Sequence, residues 1–453
     1  MSNFTPVPFA ISHEQGYSSK ENHSTLINVY TKVSPTGSKN KYILMNTEGA
    51  EEILTAPSPI LGMYEFKKIT YIVTADKLYK VSEHNDWIVV GDVSFTKGVS
   101  FADNGIDMMM VAENGYAFNP ETSVITDMST QNGWYPADTV AYMDGYFIFN
   151  RTETGQFFIS KLYSLELDPI DWATGESAPD DTLAVFVANR ILWLIGTKSC
   201  EAWYNSGNPS FPFTRINSAI VEIGCRDYRS VAKIRNDIFM VGNDYKVYQS
   251  QGYQFKAISN PAIEKEIQAN DRILNAFTYN NNGSFFYVLA IGNKFTFVYD
   301  VSTGLWHRRL SCNKPYWKIL GAFNKEEDNI LIGYSVNVMH KLSTDILTEN
   351  GDNIRREVVT LPIHSNMNRF RVHEVVLDCE VAQADKDIEV ALQTSNDGGK
   401  SWGNDNIAYL GARGQRTQKV RWSKLGQFRD LTFKIVIYEP TDIRLINLLA
   451  RMD

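Results

Sequence analysis

The sequence has few of the residues from which metal sites and disulfide frameworks are built. Its 453 residues include four cysteines, which lie far apart at Cys200, Cys225, Cys312 and Cys379. Closely spaced cysteine pairs are typical of zinc sites and of disulfide-stapled secreted domains. The seven histidines show no HxH or HExxH spacing. We therefore expect no metal, no cofactor, and reduced thiols of the kind found in proteins that fold in a cytoplasm.

Motifs that carry catalysis are also missing from the sequence. It contains no GxxxxGK phosphate loop, no GxSxG nucleophile elbow and no DxDxDG calcium loop. Acidic pairs such as Asp180-Asp181 lie among turn-forming residues, where carboxylates serve solvation more often than acid–base chemistry. The sequence thus predicts no catalytic residue and a protein that is not an enzyme.

The sequence has neither an excess of positive charge nor long apolar runs. Its net charge is −8, which disfavours stable binding to the phosphates of nucleic acid. No apolar stretch approaches the ~18 to 20 residues that a membrane-spanning helix needs. The first residues show no basic region followed by an apolar run, so we expect no secretion signal.

Aromatic residues, in contrast, are abundant. They make up 12% of the chain and favour the half-buried surface of a β-sheet. Short apolar strands separated by tight turns recur along the chain, for example around Asn114-Gly115 and Asp144-Gly145, where a turn favours positive φ. The spacing between these hairpins is irregular, roughly 35 to 50 residues, and imperfect repeats of that period are typical of β-propellers.

These patterns predict an all-β protein, a β-propeller of about six blades with an additional C-terminal β-sandwich-like domain. The predicted parts are an extended N-terminal arm over 1–40, the propeller over 41–363 and the sandwich-like domain over 364–453. A pair of β-sandwiches is the alternative. One helix is predicted to begin at Pro261, because proline followed by acidic residues is typical of a first helical turn.

The C-terminal domain contains one specific turn motif. Residues 395–402 match the Asp-box pattern S-x-D-x-G-x-x-W, with Ser395, Asp397, Gly399 and Trp402 at the motif positions. The aspartate can accept backbone hydrogen bonds within the turn, and glycine permits positive φ. We expect a structural role in a hairpin. Asp-boxes also occur in sialidases, so glycan cleavage is the alternative.

A basic stretch follows the Asp-box. Seven basic side chains lie between residues 413 and 434, with only Asp430 opposing them. A solvated strand face, electrostatic docking to an acidic neighbouring subunit and contact with DNA are the three interpretations. The candidate docking patch consists of Arg413, Arg416, Lys419, Arg421, Lys424 and Arg429.

Several stretches, in order along the chain, resemble one known family. They are Leu26-Ile27-Asn28-Val29-Tyr30 with Asn46-Thr47-Glu48-Gly49, Lys77–Val81, Ile263–Ile267, the V-Y-D…W strand 297–306, and the closing W-x-x-L-G-x-x-R stretch 422–429. The chain in this respect is similar to the packaged-DNA stabilisation proteins, the tail-hub or nozzle proteins of short-tailed phages. Glu48 stands where that family usually has proline.

The resemblance implies a structural virion protein, made in the host cytoplasm and located in the tail. It implies a ring of six copies that contacts the head-to-tail adaptor ring and the tail needle, fibre or spike proteins. Such a ring closes the portal channel, retains packaged DNA and contacts DNA transiently during ejection. Two alternatives remain: a glycan-binding or glycan-cleaving propeller that recognises a receptor, and a propeller scaffold for another partner.

Overall fold

A computed structural model describes residues 4–16, 18, 22–175, 179–270, 273–325, 330–366, 368–380, 387–411 and 420–453. Within these ranges the protein is almost entirely β-sheet, with one α-helix and two 3₁₀ helices, Met128–Thr130 and Tyr228–Ser230. None of the described helices has the length and apolar character needed to cross a bilayer.

The α-helix spans Pro261–Ala269, as the sequence predicts. The side chain of Asn260 accepts hydrogen bonds from the amides of Ala262 and Ile263, and proline occupies the first turn. Ile263 and Ile267 are buried in a cluster with side chains of two neighbouring sheets. The helix therefore packs across two sheets and not on one alone.

Seven four-stranded antiparallel units, which we call blades 1 to 7, follow one another along the described chain. Blade 1 comprises Gly62–Phe66, Ile69–Val73, Lys77–Val81 and Trp87–Asp92, and blade 2 comprises Ser100–Asp103, Met108–Ala112, Asn114–Asn119 and Val124–Asp127. Blade 3 comprises Val140–Met143, Tyr146–Asn150, Gln156–Ser160 and Leu167–Thr174. Blade 4 comprises Thr182–Ala188, Ile191–Gly196, Cys200–Asn205 and Phe213–Val221. Blade 5 comprises Ala232–Ile234, Asp237–Val241, Val247–Gln251 and Gln254–Ala257. Blade 6 comprises Ile273–Asn281, Ser284–Ile291, Phe295–Asp300 and Leu305–Arg308.

Blade 7 closes the ring with a strand from the start of the chain. Its strands are Gly321–Lys325, Ile330–Tyr334, Val338–Ser343 and Gly49–Thr55, with the short strands Thr348–Glu349 and Asp352–Asn353 added at its edge. Ile332 and Met339 of this blade pack against Ile72 of blade 1. The propeller predicted from the sequence is confirmed. The blade count in the described chain is seven and not about six, because the last blade is assembled from both ends of the propeller segment.

The propeller core lies between blades. Along the strand Tyr146–Asn150, Phe147 and Phe149 belong to a buried cluster shared with blade 2, whereas Ile148 belongs to one shared with blade 4. Successive side chains of a strand point to opposite faces, so a central strand covered on both faces is apolar throughout. This explains the uninterrupted apolar runs in the sequence.

The turns follow the sequence prediction in one hairpin and depart from it in another. Asp144 and Gly145 have φ of 50° and 95°, as expected for a tight turn. Around Asn114-Gly115 the turn instead centres on Glu113, with φ of 71°, and Gly115 lies within a strand. A Cβ at Gly115 would lie 2.1 Å from the ring of Trp134, so this glycine makes room for an aromatic side chain.

The C-terminal domain is a β-sandwich of two sheets. One sheet contains Val420–Phe428, Phe370–Cys379, Arg444–Met452, Tyr42–Asn46 and Val29–Val33 in spatial order, with Phe4–Val7 paired to Arg444–Met452. The other contains Asn406–Tyr409, Glu389–Ser395, Asp430–Ile437, Arg356–Val359 and Leu26–Ile27, with Ile363–His364 paired to Asp430–Ile437. One buried apolar cluster fills the space between them. A further hairpin pairs Glu14–Gln15 with His23–Ser24.

The N-terminal segment joins the two domains. Leu26–Ile27 pairs with the last strand of blade 6 on one side and with Arg356–Val359 of the sandwich on the other, so blade 6 and one sandwich sheet are continuous. The sequence predicts an arm over 1–40, the propeller over 41–363 and the sandwich over 364–453. In the structure, the sandwich also contains Phe4–Val7, Val29–Val33, Tyr42–Asn46 and Arg356–Val359. These strands pair with backbone groups that would otherwise be left at the edges of the C-terminal sheets.

Candidate functional site

The domain junction, which we call the seam, is organised by Asn28. This residue is buried, with φ of 53°. Its amide nitrogen donates to the carbonyl of Leu310, which follows blade 6, at 3.0 Å and to the carbonyl of Arg355, which precedes the sandwich, at 2.8 Å. Its amide oxygen accepts from the Leu310 amide at 3.1 Å. One side chain thus satisfies backbone groups of both domains.

A buried ion pair lies beside Asn28 in the seam. Arg309 donates to the Glu48 carboxylate at 2.6 Å and to the Glu48 backbone carbonyl at 2.8 Å, and both side chains are nearly inaccessible to solvent. Asn281 and the hydroxyl of Tyr279 also donate to this carboxylate, at 2.8 and 3.1 Å. The guanidinium lies 3.8 Å from the centre of the Trp317 ring. Charge-assisted bonds thus hold the Glu48 carboxylate and the two terminal nitrogens of Arg309, whereas its buried Nε has no hydrogen-bond partner among the described residues.

The position that departs from the family pattern is therefore the centre of this network. Burial first, and then the negative charge of Glu48, raise the pKa of Tyr279 well above its ordinary value. Tyr279 thus stays a neutral donor. Sequence reasoning did not identify this site, although a glutamate at an expected proline position and the Arg308-Arg309 pair after an aromatic strand were the available signals.

A third contact spans the seam through Arg356. Its guanidinium donates to the carbonyl of Leu347, which directly precedes the edge strand Thr348–Glu349 of blade 7, at 3.0 Å and to the carbonyl of Glu439, in the sandwich, at 3.2 Å. Burial is the main cause that lowers the pKa of Arg356 to about 10. The group still carries its charge at neutral pH and bonds one carbonyl from each domain.

The N-terminal segment also packs on blade 6. Trp306 lies on Leu305–Arg308, the strand that follows the V-Y-D strand Phe295–Asp300 in the hairpin. Its carbonyl accepts a hydrogen bond from the His13 amide at 2.6 Å, and its amide donates to the Ser12 hydroxyl at 3.2 Å. Burial, with Arg308 nearby, lowers the pKa of the His13 imidazole to about 3. His13 is therefore neutral in the folded protein and packs against Phe297.

The four Asp-box residues form the predicted turn. The Asp397 carboxylate accepts from the amides of Lys400 and Ser401, each at 3.0 Å, and from the Ser401 hydroxyl at 2.5 Å. The Ser395 hydroxyl bonds Asp397 at 2.7 Å. The Ser401 hydroxyl, followed by the Ser401 amide and the Ser395 hydroxyl, holds the pKa of Asp397 well below its usual range.

The other two motif residues place the turn against its surroundings. Gly399 has φ of 83°, and a Cβ there would lie 2.6 Å from the His23 ring. Trp402 is half-buried, with the Lys434 ammonium 4.3 Å from its ring centre. The turn therefore contacts the N-terminal segment as well as its own hairpin.

The basic stretch is only partly described. Arg413, Arg416 and Lys419 lie outside the described residues. Arg421 and Lys424 lie on the strand Val420–Phe428, which ends one sheet, and Arg429 follows it. All three are exposed. Arg421 pairs with Glu374 at 2.9 Å, and Lys424 has φ of 60° at a break in strand register. A charged, irregular edge strand resists uncontrolled pairing with other sheets.

No catalytic arrangement is apparent in the part of the chain that the structure describes. Within those residues, no group of three or more His, Cys, Asp or Glu side chains could hold a metal ion. Burial, and then the positive charge of Arg309, keep the pKa of His307 well below its ordinary value. His307 packs its ring against Tyr30 and Phe286. The buried polar groups described here connect domains.

Two family models match this chain in consecutive segments. The model described as bacteriophage P22 Gp10, beta-propeller, matches residues 13–323, and the model described as bacteriophage P22 Gp10, beta-sandwich, matches residues 355–453. No curated protein matches. Among solved structures, the chain is similar to one titled "Structure of U3-55K", with 7% identity and a TM-score of 0.44 over 65% of this chain and 98% of that chain.

Proposed function

Because the chain belongs to the bacteriophage P22 Gp10 family of tail-hub, packaged-DNA stabilisation proteins, we propose that it is a subunit of the ring that closes the portal channel. In this role it retains packaged DNA and conducts it during ejection. The observation that carries the proposal is the match of both domains, in order, to the two parts of one phage structural protein.

The arrangement of the two domains supports a structural role. Asn28 and Arg356 connect the propeller and sandwich through buried hydrogen bonds, and the Glu48–Arg309 pair holds the link between the sandwich strand Tyr42–Asn46 and blade 7 against blade 6. Buried polar networks of this kind favour one arrangement of the parts that they join, which suits a subunit that keeps its shape within a ring. The family match does not favour the glycan-binding alternative, and the Asp-box serves as a turn.

The proposed assembly consists of self-association into a six-membered ring, with one side on the phage adaptor ring and the other on needle, fibre or spike proteins. The ring would reside in the virion tail after synthesis in the host cytoplasm. DNA would touch it only transiently, which is consistent with a net charge of −8. Stable rings commonly bury more than ~2,000 Å² per interface.

Particle imaging of the purified chain, with and without a purified phage adaptor ring, tests this function. We expect rings of six copies that stack coaxially on the adaptor. A chain that stays monomeric in the presence of the adaptor and releases sugar from host polysaccharide would contradict the proposal.

The basic edge strand supplies a second test. Arg421→Glu with Lys424→Glu is expected to abolish ring or adaptor assembly while the melting temperature stays close to that of the wild type, because docking to an acidic neighbour depends on charge sign. The matched control is Lys198→Glu with Lys256→Glu, which changes the net charge equally at exposed propeller positions. Unchanged assembly of the first variant would refute docking at this strand.

A further inference from the structure

The mouth of the propeller channel contains a large cavity that has no role in the seam. Its volume is about 1210 Å³, and segments from all seven blades line it. The lining segments include the beginnings of innermost strands and the connections that precede such strands. Turns such as the one that contains Ser335 also line the cavity. Pockets for small molecules typically measure about 300–1,000 Å³, so this cavity can admit something larger.

The charge of the cavity is opposite to that of the molecule. Five basic side chains line it, Lys97, Arg226, Arg229, Lys314 and Lys318, against two acidic ones, Asp138 and Asp227. The whole chain, in contrast, has a net charge of −8. A concave, positively charged surface on an acidic protein concentrates anionic ligands at that place.

The internal ion pairs show which side chains carry the excess charge. Asp138 pairs with Lys97, and the two carboxylate oxygens of Asp227 accept from Arg229. The Lys314 ammonium contacts the hydroxyl of Tyr316 at 3.4 Å. Lys318 is 4.0 Å from the Glu349 carboxylate, a long separation for an ion pair. The Arg226 guanidinium packs on the Tyr245 ring, 4.9 Å from its centre. Lys314 and Lys318 are therefore the side chains best placed to bind an added carboxylate.

Aromatic side chains complete the walls of the cavity. Phe101, Phe186, Tyr228, Tyr316 and Tyr334 lie among the lining residues. Aromatic rings beside basic groups bind polypeptide by packing on apolar side chains and pairing with acidic ones. They also suit single-stranded nucleic acid. A nucleic acid strand, however, would continue from the mouth over the acidic remainder of the surface and be repelled there, whereas a short peptide needs only the cavity.

From these observations we propose that the mouth of the propeller channel, with Lys314 and Lys318 on its wall, binds an acidic segment of polypeptide that also carries aromatic or apolar side chains. The segment enters along the propeller axis. Its carboxylates face the two lysines, and its apolar side chains pack on the cavity rings. This binding is independent of ring formation and can be tested on a monomer.

Fluorescence anisotropy with a labelled octapeptide of alternating glutamate and tyrosine tests the proposal. The full-length wild type is expected to bind it in low salt, and a peptide with lysine in place of glutamate is expected not to bind. Lys314→Glu with Lys318→Glu should weaken binding about tenfold or more, because it reverses two charges at the contact. Lys314→Gln with Lys318→Gln should reduce the affinity for the peptide by a smaller factor. This neutral variant keeps the test valid if the glutamate variant does not fold.

The matched control is again Lys198→Glu with Lys256→Glu, which should leave peptide affinity within about twofold of wild type, because both residues are exposed and outside the cavity. No binding of the acidic peptide by wild type would overturn the proposal, as would equal affinities of wild type and both lysine double variants. Displacement of the peptide by an oligothymidylate of equal length at equal concentration would assign the cavity to nucleic acid instead.

Discussion

The blade-to-blade contacts of the propeller and the seam between propeller and sandwich are both buried, but they differ in chemistry. Between blades 2 and 3, Phe147, Phe149 and Phe158 pack with methionine, valine and alanine side chains. At the seam, the buried contacts include Asn28, the Glu48–Arg309 pair and Arg356. Apolar packing is tolerant of exact geometry, whereas a buried polar network is stable only in one arrangement.

This difference indicates what each region contributes. The blades obtain stability from apolar area, which any similar side chain can supply. The seam fixes one orientation of the sandwich relative to the propeller, because any other would leave buried donors and charges without partners. The two kinds of contact should therefore respond differently to substitution.

The largest loss of stability is expected when one partner of the Glu48–Arg309 ion pair is removed. Arg309→Met leaves Glu48 buried without its cation and should reduce the free energy of unfolding by about 3 to 5 kcal/mol. Phe149→Leu, a smaller apolar side chain between blades, should cost about 1 to 2 kcal/mol, because a buried side chain loses part of its volume. Urea denaturation of the two variants measures the difference.

The double variant Glu48→Leu with Arg309→Met sharpens the same comparison. It removes both charges and should recover much of the stability that Arg309→Met loses. If Arg309→Met were no more damaging than Phe149→Leu, the contrast between seam and blades would not hold.

The next effect concerns Asn28. Asn28→Ala removes hydrogen bonds to two carbonyls and replaces asparagine, which adopts positive φ more readily than other non-glycine residues, by alanine, so it should cost about 3 kcal/mol. Asn28→Gly loses the same hydrogen bonds without the backbone penalty and should cost about 1 kcal/mol less. Thermal unfolding followed by far-ultraviolet circular dichroism can rank wild type, the Gly variant and the Ala variant. An Ala variant as stable as the Gly variant would disagree with the described backbone.

The next largest effect is expected on acidification, which should destabilise the contact between the N-terminal segment and blade 6 more than the contacts between blades. The pKa of His13 is about 3 in the folded protein and about 6.5 in an unfolded chain. Below pH 6.5 the unfolded state binds the proton and the folded state does not, so stability falls as pH decreases towards 3, by up to about 1.4 kcal/mol per pH unit.

Hydrogen exchange between pH 7 and pH 4.5 provides the local measurement. Protection of Leu305–Arg308, on which the N-terminal segment packs, should decrease more than protection of Tyr146–Asn150 in blade 3. His13→Leu should reduce the decrease at Leu305–Arg308 without removing it, because burial also lowers the pKa of His307 on that strand. A uniform decrease along the chain, unaffected by His13→Leu, would argue against this origin.

The smallest effect is expected at the Asp-box. Asp397→Asn weakens the turn hydrogen bonds and should lower the melting temperature of the sandwich slightly at pH 7. Because the folded pKa of Asp397 is depressed, its contribution is present above pH ~4 and is lost as the pH falls further. The difference between wild type and Asp397→Asn should therefore shrink below pH ~4. Equal melting temperatures at pH 7 would show that the turn does not depend on this carboxylate.

Local features of the chain were predictable because short-range physics determines them. The helix at Pro261–Ala269 follows from its cap and proline, and the Asp144-Gly145 turn follows from the backbone preferences of those residues. The Asp-box turn likewise depends on hydrogen bonds between residues at most four positions apart. The recurring aromatic hairpins predicted a propeller, since each hairpin needs a neighbour to bury its faces.

The tertiary structure alone decided which distant segments meet. Gly49–Thr55 completes blade 7, and Leu26–Ile27 connects blade 6 with the sandwich, although nothing in these segments specifies a partner more than 250 residues away. Glu48 and Arg309 are separated by 261 positions, and neither has a local reason to be buried. Sequence patterns encode which face of a strand is apolar, whereas ring closure and the pairing of buried charges depend on the whole chain being folded.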